Sequence, residues 1–260
     1  MPNVSNIALN TSEALLPTAY SLQQVTFRNH AGRLFDLKAL VTGVTLTESL
    51  YAPSVVLSLD VKDPVNTLEE FQMTGQETIN VVLARKPYGS YEEEKVDLNF
   101  VVTEYPLFGR FGNRFQVYSL KGVTSSAYNS ELKKISRSFS GDIRDFVKDV
   151  MVNDLGVKES DLVISENSSA RMRFVVPNMA PIDAIYWALR RAYSVEDSSP
   201  FYFFQRLDGK YCLLTHADLV VQDEYKEYRD ASFFQYDQTG DTSIARSEEH
   251  TSELQSHLNL

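Results

Sequence analysis

From Leu22 to Val123 apolar and polar residues alternate in short runs, the period-2 pattern of strands with one buried face. Two runs are cleanest. Val55, Leu57, Leu59 and Val61 oppose Val56, Ser58 and Asp60, and Val96, Leu98, Phe100 and Val102 oppose Asp97, Asn99, Val101 and Thr103. Further strands are predicted at Leu22 to Arg28, Leu34 to Val41 continuing to Leu50, Glu77 to Arg85, and Phe115 to Val123. Turn residues separate them at Asn29–Gly32, Ala52-Pro53, Asp63-Pro64, Lys86–Gly89 and Phe108–Asn113, with a short helix at Val65 to Phe71. About six such strands predict a closed barrel or sandwich rather than an open sheet.

Near Ser130 the period changes. Ile143, Phe146, Val147, Val150 and Met151 share one helical face, with Ser140 as the expected N-cap, Asp142 in the first turn and Gly156 past the end. A second helix is predicted from Pro181 to near Ser194, with Ile182, Ile185, Tyr186, Leu189 and Tyr193 on one face. Phe201–Gln205 and Tyr211–Thr215 flank Asp208-Gly209, a strong hairpin signal. A polar, Tyr-rich stretch follows, and Ser232–Tyr236 reads as the opening strand of another β element. The fold class is therefore α+β: a β-barrel over 20–125, a smaller α+β domain over 126–220 and the start of a second, incomplete barrel over 221–245, preceded by an arm at 1–19. Val55, Leu57, Leu59, Val96, Leu98, Phe100, Ile143, Phe146, Val147 and Val150 are the expected core.

Arg246 to His257 is similar to translated library-adapter sequence, so 246–260 is expected to be a non-native tail and the natural product to continue beyond Ala245. Without Arg246 and Glu248, Glu249 and Glu253, the 25 basic and 35 acidic residues become 24 and 32, net −8. That balance disfavours a protein whose task is gripping phosphates. No apolar run reaches 18 residues and no basic, apolar leader opens the chain, so a membrane partner is not expected and the chain should stay in the cytosol of the cell that makes it.

The chemistry-bearing residues do not converge. His30 lies in a predicted turn and His216 at a strand end, where pairing with Asp218 is the one His–carboxylate arrangement on offer. Cys212, the single cysteine, alternates with apolar neighbours and reads as core. Glu92, Glu93 and Glu94 lack the alternating ligands and glycine of a calcium loop. Arg110, Phe111, Arg114 and Phe115 offer weak stacking chemistry for single strands, and Lys133, Lys134 and Arg137 a local basic spot suited to an interface or a solvated face. No catalytic, cofactor-binding or metal-binding residue is expected, and no enzyme activity.

Three stretches, Leu132–Val147, Phe174–Ile185 and Phe201–Leu213, taken in that order resemble the baseplate hub proteins of contractile-tailed phages. The resemblance spans roughly residues 20 to 220. It implies a virion protein assembled in the host cytoplasm, a homotrimer in which each subunit supplies two tube-type barrels to a ring. Its implied partners are a central spike protein and the tail tube or adjoining baseplate proteins, with DNA passing through the lumen unbound. The hub portion of a secretion-system spike is the nearest other reading; a carbohydrate-binding β module or an enzyme is the competing class. With one whole barrel present, the chain ending in the adapter-like tail is expected not to form a clean trimer.

Overall fold

The structure, a computed structural model, describes residues 20–67, 69, 77–85, 94–111 and 115–222. Met1–Val220 form one compact unit, to which every described strand belongs, and Val221–Leu260 a second. The expected arm, the strand at Ser232–Tyr236, the adapter-like tail, Glu92, Glu93, Arg114, and Leu68, Glu70 and Phe71 of the helix predicted at Val65 to Phe71 lie outside the described residues.

The alternating half folds into eight strands: β1 (Tyr20–Arg28), β2 (Leu34–Asp36), β3 (Val41–Thr47), β4 (Val56–Asp63), β5 (Thr78–Arg85), β6 (Glu94–Glu104), β7 (Leu107–Phe111) and β8 (Phe115–Thr124). They make one antiparallel sheet in the order β2-β1-β5-β6-β8-β4-β3, with β7 also paired to β8. Among the described residues no ladder joins β2 to β3, so hydrogen bonding does not close the sheet into the expected barrel. The run predicted from Leu34 to Leu50 is broken by a 3-10 turn at Lys38–Leu40 and ends at Thr47. Asp36 accepts the Lys38 N–H at 2.9 Å while the Leu37 N–H bonds the Val25 carbonyl, and together these pull Leu37 into the core. Leu107–Phe111 is strand rather than turn, since Gly109, Arg110 and Phe111 oppose Val117, Gln116 and Phe115.

The period-2 pattern sets the core of this half. Val55, Leu57, Leu59 and Val61 are fully buried, as are Phe100, Ile79, Val81 and Leu120. Each such aliphatic side chain contributes roughly 1.5–3 kcal/mol relative to exposure. Val96 departs from expectation: it is half-buried, opposite half-buried Leu83 and two pairs from the end of the β5–β6 ladder. Val101, expected on the outer face, is buried instead; helix α1 (Ser125–Glu131) folds back against β6 and β8.

The second half comprises β9 (Ser138–Gly141), α2 (Ile143–Asp149), β10 (Leu162–Ile164), β11 (Met172–Val175), α3 (Pro181–Leu189), β12 (Phe201–Gln205), β13 (Tyr211–Thr215) and α4 (His216–Val221). β10, β13 and β12 form a three-stranded sheet with β10 parallel to β13, and β11 and β9 an antiparallel ribbon. The helical face of Ile143, Phe146, Val147, Val150 and Met151 is fully buried, and α2 runs on into a π-helical turn at Val150–Asp154 that ends before Gly156, whose φ of +72° suits glycine. Its cap is Asp142, not Ser140: Ser140 is paired with Arg173 in the ribbon, and Asp142 accepts the Arg144 N–H at 2.9 Å. Helix α3 begins at Pro181 as predicted but stops at Leu189. Tyr193, expected on its buried face, is exposed, because the chain there turns extended and Tyr193 pairs with Pro200 and the Ser194 N–H with the Ser199 carbonyl.

Candidate functional site

His30 sits exposed in the turn after β1, and His216 exposed as the first residue of α4, 6.2 Å ring to ring from Tyr202. The His216–Asp218 pairing does not form. Asp218 instead accepts the Thr215 N–H at 2.8 Å while its own N–H donates to the Thr215 hydroxyl at 3.1 Å, a reciprocal cap at the start of α4. Ser165 and Asn167 also donate to it, at 2.5 and 3.0 Å. Burial opposes its charge, but these donors outweigh burial and hold the carboxyl below its usual range.

The basic spot is an internal clamp. Arg137 reaches Asp149 and Asp154 at 2.7 Å each, and Lys133 donates to the Asp154 carbonyl at 2.5 Å, fastening the segment before β9 to the end of α2 and its π-helical turn. Cys212 is fully buried beside Phe204 and Leu214, as its alternation predicts, and burial pushes its thiol up. The Phe115 ring lies beneath the Lys62 ammonium, 4.4 Å from its centroid.

Asp142 organises the other end of the helical half. Beyond capping α2, its carboxylate accepts from the Arg144 guanidinium at 2.9 and 3.1 Å, from the Ser169 N–H at 3.1 Å and from the Ser169 hydroxyl at 3.2 Å. Burial works against the charge, and the Arg144 and Ser169 donors overcome it, keeping this carboxyl below its ordinary range. Beside it, Arg144, Asp145 and Lys148 of α2 face Glu159, Leu162 and Ile164 across an open groove of about 420 Å³. Its cations are already engaged, Arg144 with Asp142 and Lys148 with Glu159 at 2.5 Å.

The residues that join the two halves carry no motif. Gln205, buried at the end of β12, accepts the Val55 N–H at 3.2 Å and the Thr124 hydroxyl at 2.9 Å, and donates to the Gly209 carbonyl at 3.3 Å. The Tyr211 hydroxyl bonds Ser126 and lies 3.4 Å from that of Thr124; burial raises its pKa. Glu48 accepts the Leu207 N–H at 3.0 Å. A second buried polar set, Asp63, Thr67 and Tyr118, closes the end of β4: Thr67 donates its N–H and hydroxyl to Asp63 at 2.6 Å each, and its oxygen lies 2.8 Å from that of Tyr118. Burial pushes the Tyr118 phenol up to about 12. In the sequence, the only signal for either set is a polar residue at the edge of an apolar strand.

Among the described residues no group of three or more His, Cys, Asp or Glu is placed to hold a metal ion, and no helix is long and apolar enough to cross a membrane. No family model matches the chain, and no curated protein matches it. Solved structures do. The chain is similar to the 43 kDa tail protein of prophage MuSo2 from Shewanella oneidensis, with TM-score 0.49 and 12% identity over 75% of this chain and 53% of that one. It is also similar to the prophage tail protein gp18 from Listeria monocytogenes EGD-e (TM-score 0.44, 10% identity, 83% of this chain and 56% of that one). A third is the E. coli c3393 protein, a component of the type VI secretion system (TM-score 0.40, 7% identity, 77% of this chain and 47% of that one). The chain spans about half the length of these proteins. At such identities and TM-scores the likeness by itself assigns neither family nor activity.

Proposed function

We propose that this chain is a structural component of a phage tail, and specifically part of a baseplate hub that joins a central spike to the tail tube of a contractile-tailed phage. One observation carries the reading. The three stretches on which the hub resemblance rests are separated along the chain, yet they build one core: Ile143, Phe146 and Val147 from the first, Ile182 and Ile185 from the second, Phe203 and Leu213 from the third. Backbone pairing ties the first to the second, through Ile135 with Met179 and, in the β9–β11 ribbon, through Phe139 with Phe174.

In this proposal the protein carries no catalytic activity of its own. It acts as a homotrimer in the virion, meeting the spike and the tail tube or adjoining baseplate proteins while DNA passes without being held. The acidic balance suits a conduit that must not retain what it conducts. Light scattering on the natural gene product tests assembly, and a fluorescence-anisotropy titration with duplex DNA tests the conduit. A three-chain mass and no submicromolar DNA binding are expected; a stable monomer, or submicromolar binding at physiological salt, overturns the proposal.

A further inference from the structure

The hairpin of β12 and β13 is anchored and seated in two different ways. Its base is embedded in the helical half: Phe201, Phe203, Tyr211 and Leu213 on one face join the core under α2 and α3, and Phe204, Cys212 and Leu214 on the other form a second small core. Its tip leaves that core and crosses to the first sheet. There Leu207, half-buried, packs against the cluster that contains Leu98 and Phe100, and a Cβ added at Gly209 would meet Leu98 Cδ2 at 3.5 Å. The outward residues of the tip, Arg206, Asp208 and Lys210, are exposed.

The tip is held down by the packing of Leu207 and by a short set of polar contacts at separate points. Gln205 bridges Val55 at the start of β4 to Thr124 at the end of β8, and Glu48, just past β3, receives the Leu207 N–H. None of these is an ion pair, and the Glu48 contact is open to solvent. Hydrogen bonds of this kind contribute modestly each, so a tip held by three of them and one half-buried leucine separates at lower cost than the base, which would have to surrender a packed aromatic core.

We propose that the β12–β13 hairpin is a strap: it holds the end of the first sheet shut through Gln205 and Glu48, and its tip lifts as one piece while the helical core stays folded. Lifting uncovers the sheet end formed by Val55, Leu98 and Thr124. This inference rests on the packing of the chain and not on the hub reading.

The test is native-state hydrogen exchange on the whole chain, read at amides that the altered residue does not touch. In Glu48→Ala the Val55 N–H, which bonds Gln205 and not Glu48, is expected to exchange roughly three- to tenfold faster, the loss of one hydrogen bond from a jointly opening unit. In Gln205→Met the Leu207 N–H is expected to speed up by a similar factor. Glu48→Gln, which keeps the acceptor, should restore the Val55 rate. In the parent protein the Val55 and Leu207 amides should share one opening free energy, well below that of the Phe146 and Ile185 amides. A change of less than twofold at Val55 in Glu48→Ala would mean the contacts open independently and would overturn the proposal. So would equal opening free energies at Val55, Phe146 and Ile185 in the parent protein, which would mean that the end opens only with global unfolding.

Discussion

Replacing Asp142 with alanine isolates the residue on which the helical half turns. The Arg144 N–H loses its cap acceptor, which costs about 1 kcal/mol. The N–H of Ser169, a buried residue, loses its acceptor too, and an unsatisfied donor costs about 1–3 kcal/mol, here near the low end because the shortened side chain admits water. Arg144 keeps the Glu166 carbonyl at 2.7 Å, so the guanidinium is not stranded. The sum is about 2–3 kcal/mol, which for a chain of this size lowers the thermal midpoint by roughly 4–12 °C. Asp142→Asn retains an oxygen for the Arg144 N–H but turns a donor toward one of its neighbours, and should lose roughly half as much. The pH dependence follows from the depressed pKa. A carboxylate whose folded pKa lies below its unfolded value of about 3.9 contributes stability that is fully present above that value and is lost as pH falls through the folded pKa. The gap between parent and Asp142→Asn should thus be constant from pH 7 to pH 5, shrink below about pH 4 and close once Asp142 is protonated. Thermal melts followed by far-ultraviolet circular dichroism at each pH give both numbers. An alanine variant melting within 1 °C of the parent at pH 7, or a gap to asparagine as wide at pH 2 as at pH 7, would refute the reasoning.

Two further outcomes are expected from packing. Gly122 on β8 leaves no room for a side chain: a Cβ there would stand 2.9 Å from the Val101 carbonyl oxygen and 3.1 Å from Phe100 Cβ, both in the paired strand β6. Gly122→Ala should therefore cost about 1–3 kcal/mol in urea unfolding, and an unchanged midpoint would show that the β6–β8 ladder yields at no cost. Cys212, fully buried with its thiol pushed up by burial, should react with an aromatic disulfide reagent only as fast as the protein opens; labelling of the native protein at the rate of a free thiol would contradict the burial.

Much of the local structure was legible because it depends on neighbours in sequence. The strands through Leu57 and Phe100, the helix face of Ile143, Phe146 and Val147, the Pro181 helix start and the Asp208-Gly209 hairpin each follow from a period or a turn residue that acts within a few positions. The errors fall where a distant partner intervenes. Ser140 satisfies the local rule for a cap but is held in a ribbon by Arg173, and Leu37 breaks a predicted strand because its N–H finds Val25. Val101 looks outward in the alternation and is buried nonetheless, and Tyr193 sits on the helical period yet ends in an extended segment held by Pro200.

The candidate site divides the same way. That Cys212 packs in the core was readable from its alternation with apolar neighbours. That Lys133 and Arg137 form a clamp on Asp149 and Asp154 was not, since it depends on which helix end the chain meets about twenty residues later. Gln205 is the plainest case. By itself the sequence determined an apolar strand ending in a polar residue. Only the tertiary structure brought Val55 and Thr124, 150 and 81 positions away, to the same amide oxygen, because a hydrogen bond is specified by where two groups meet in space and a hydrophobic period only by how they alternate along the chain.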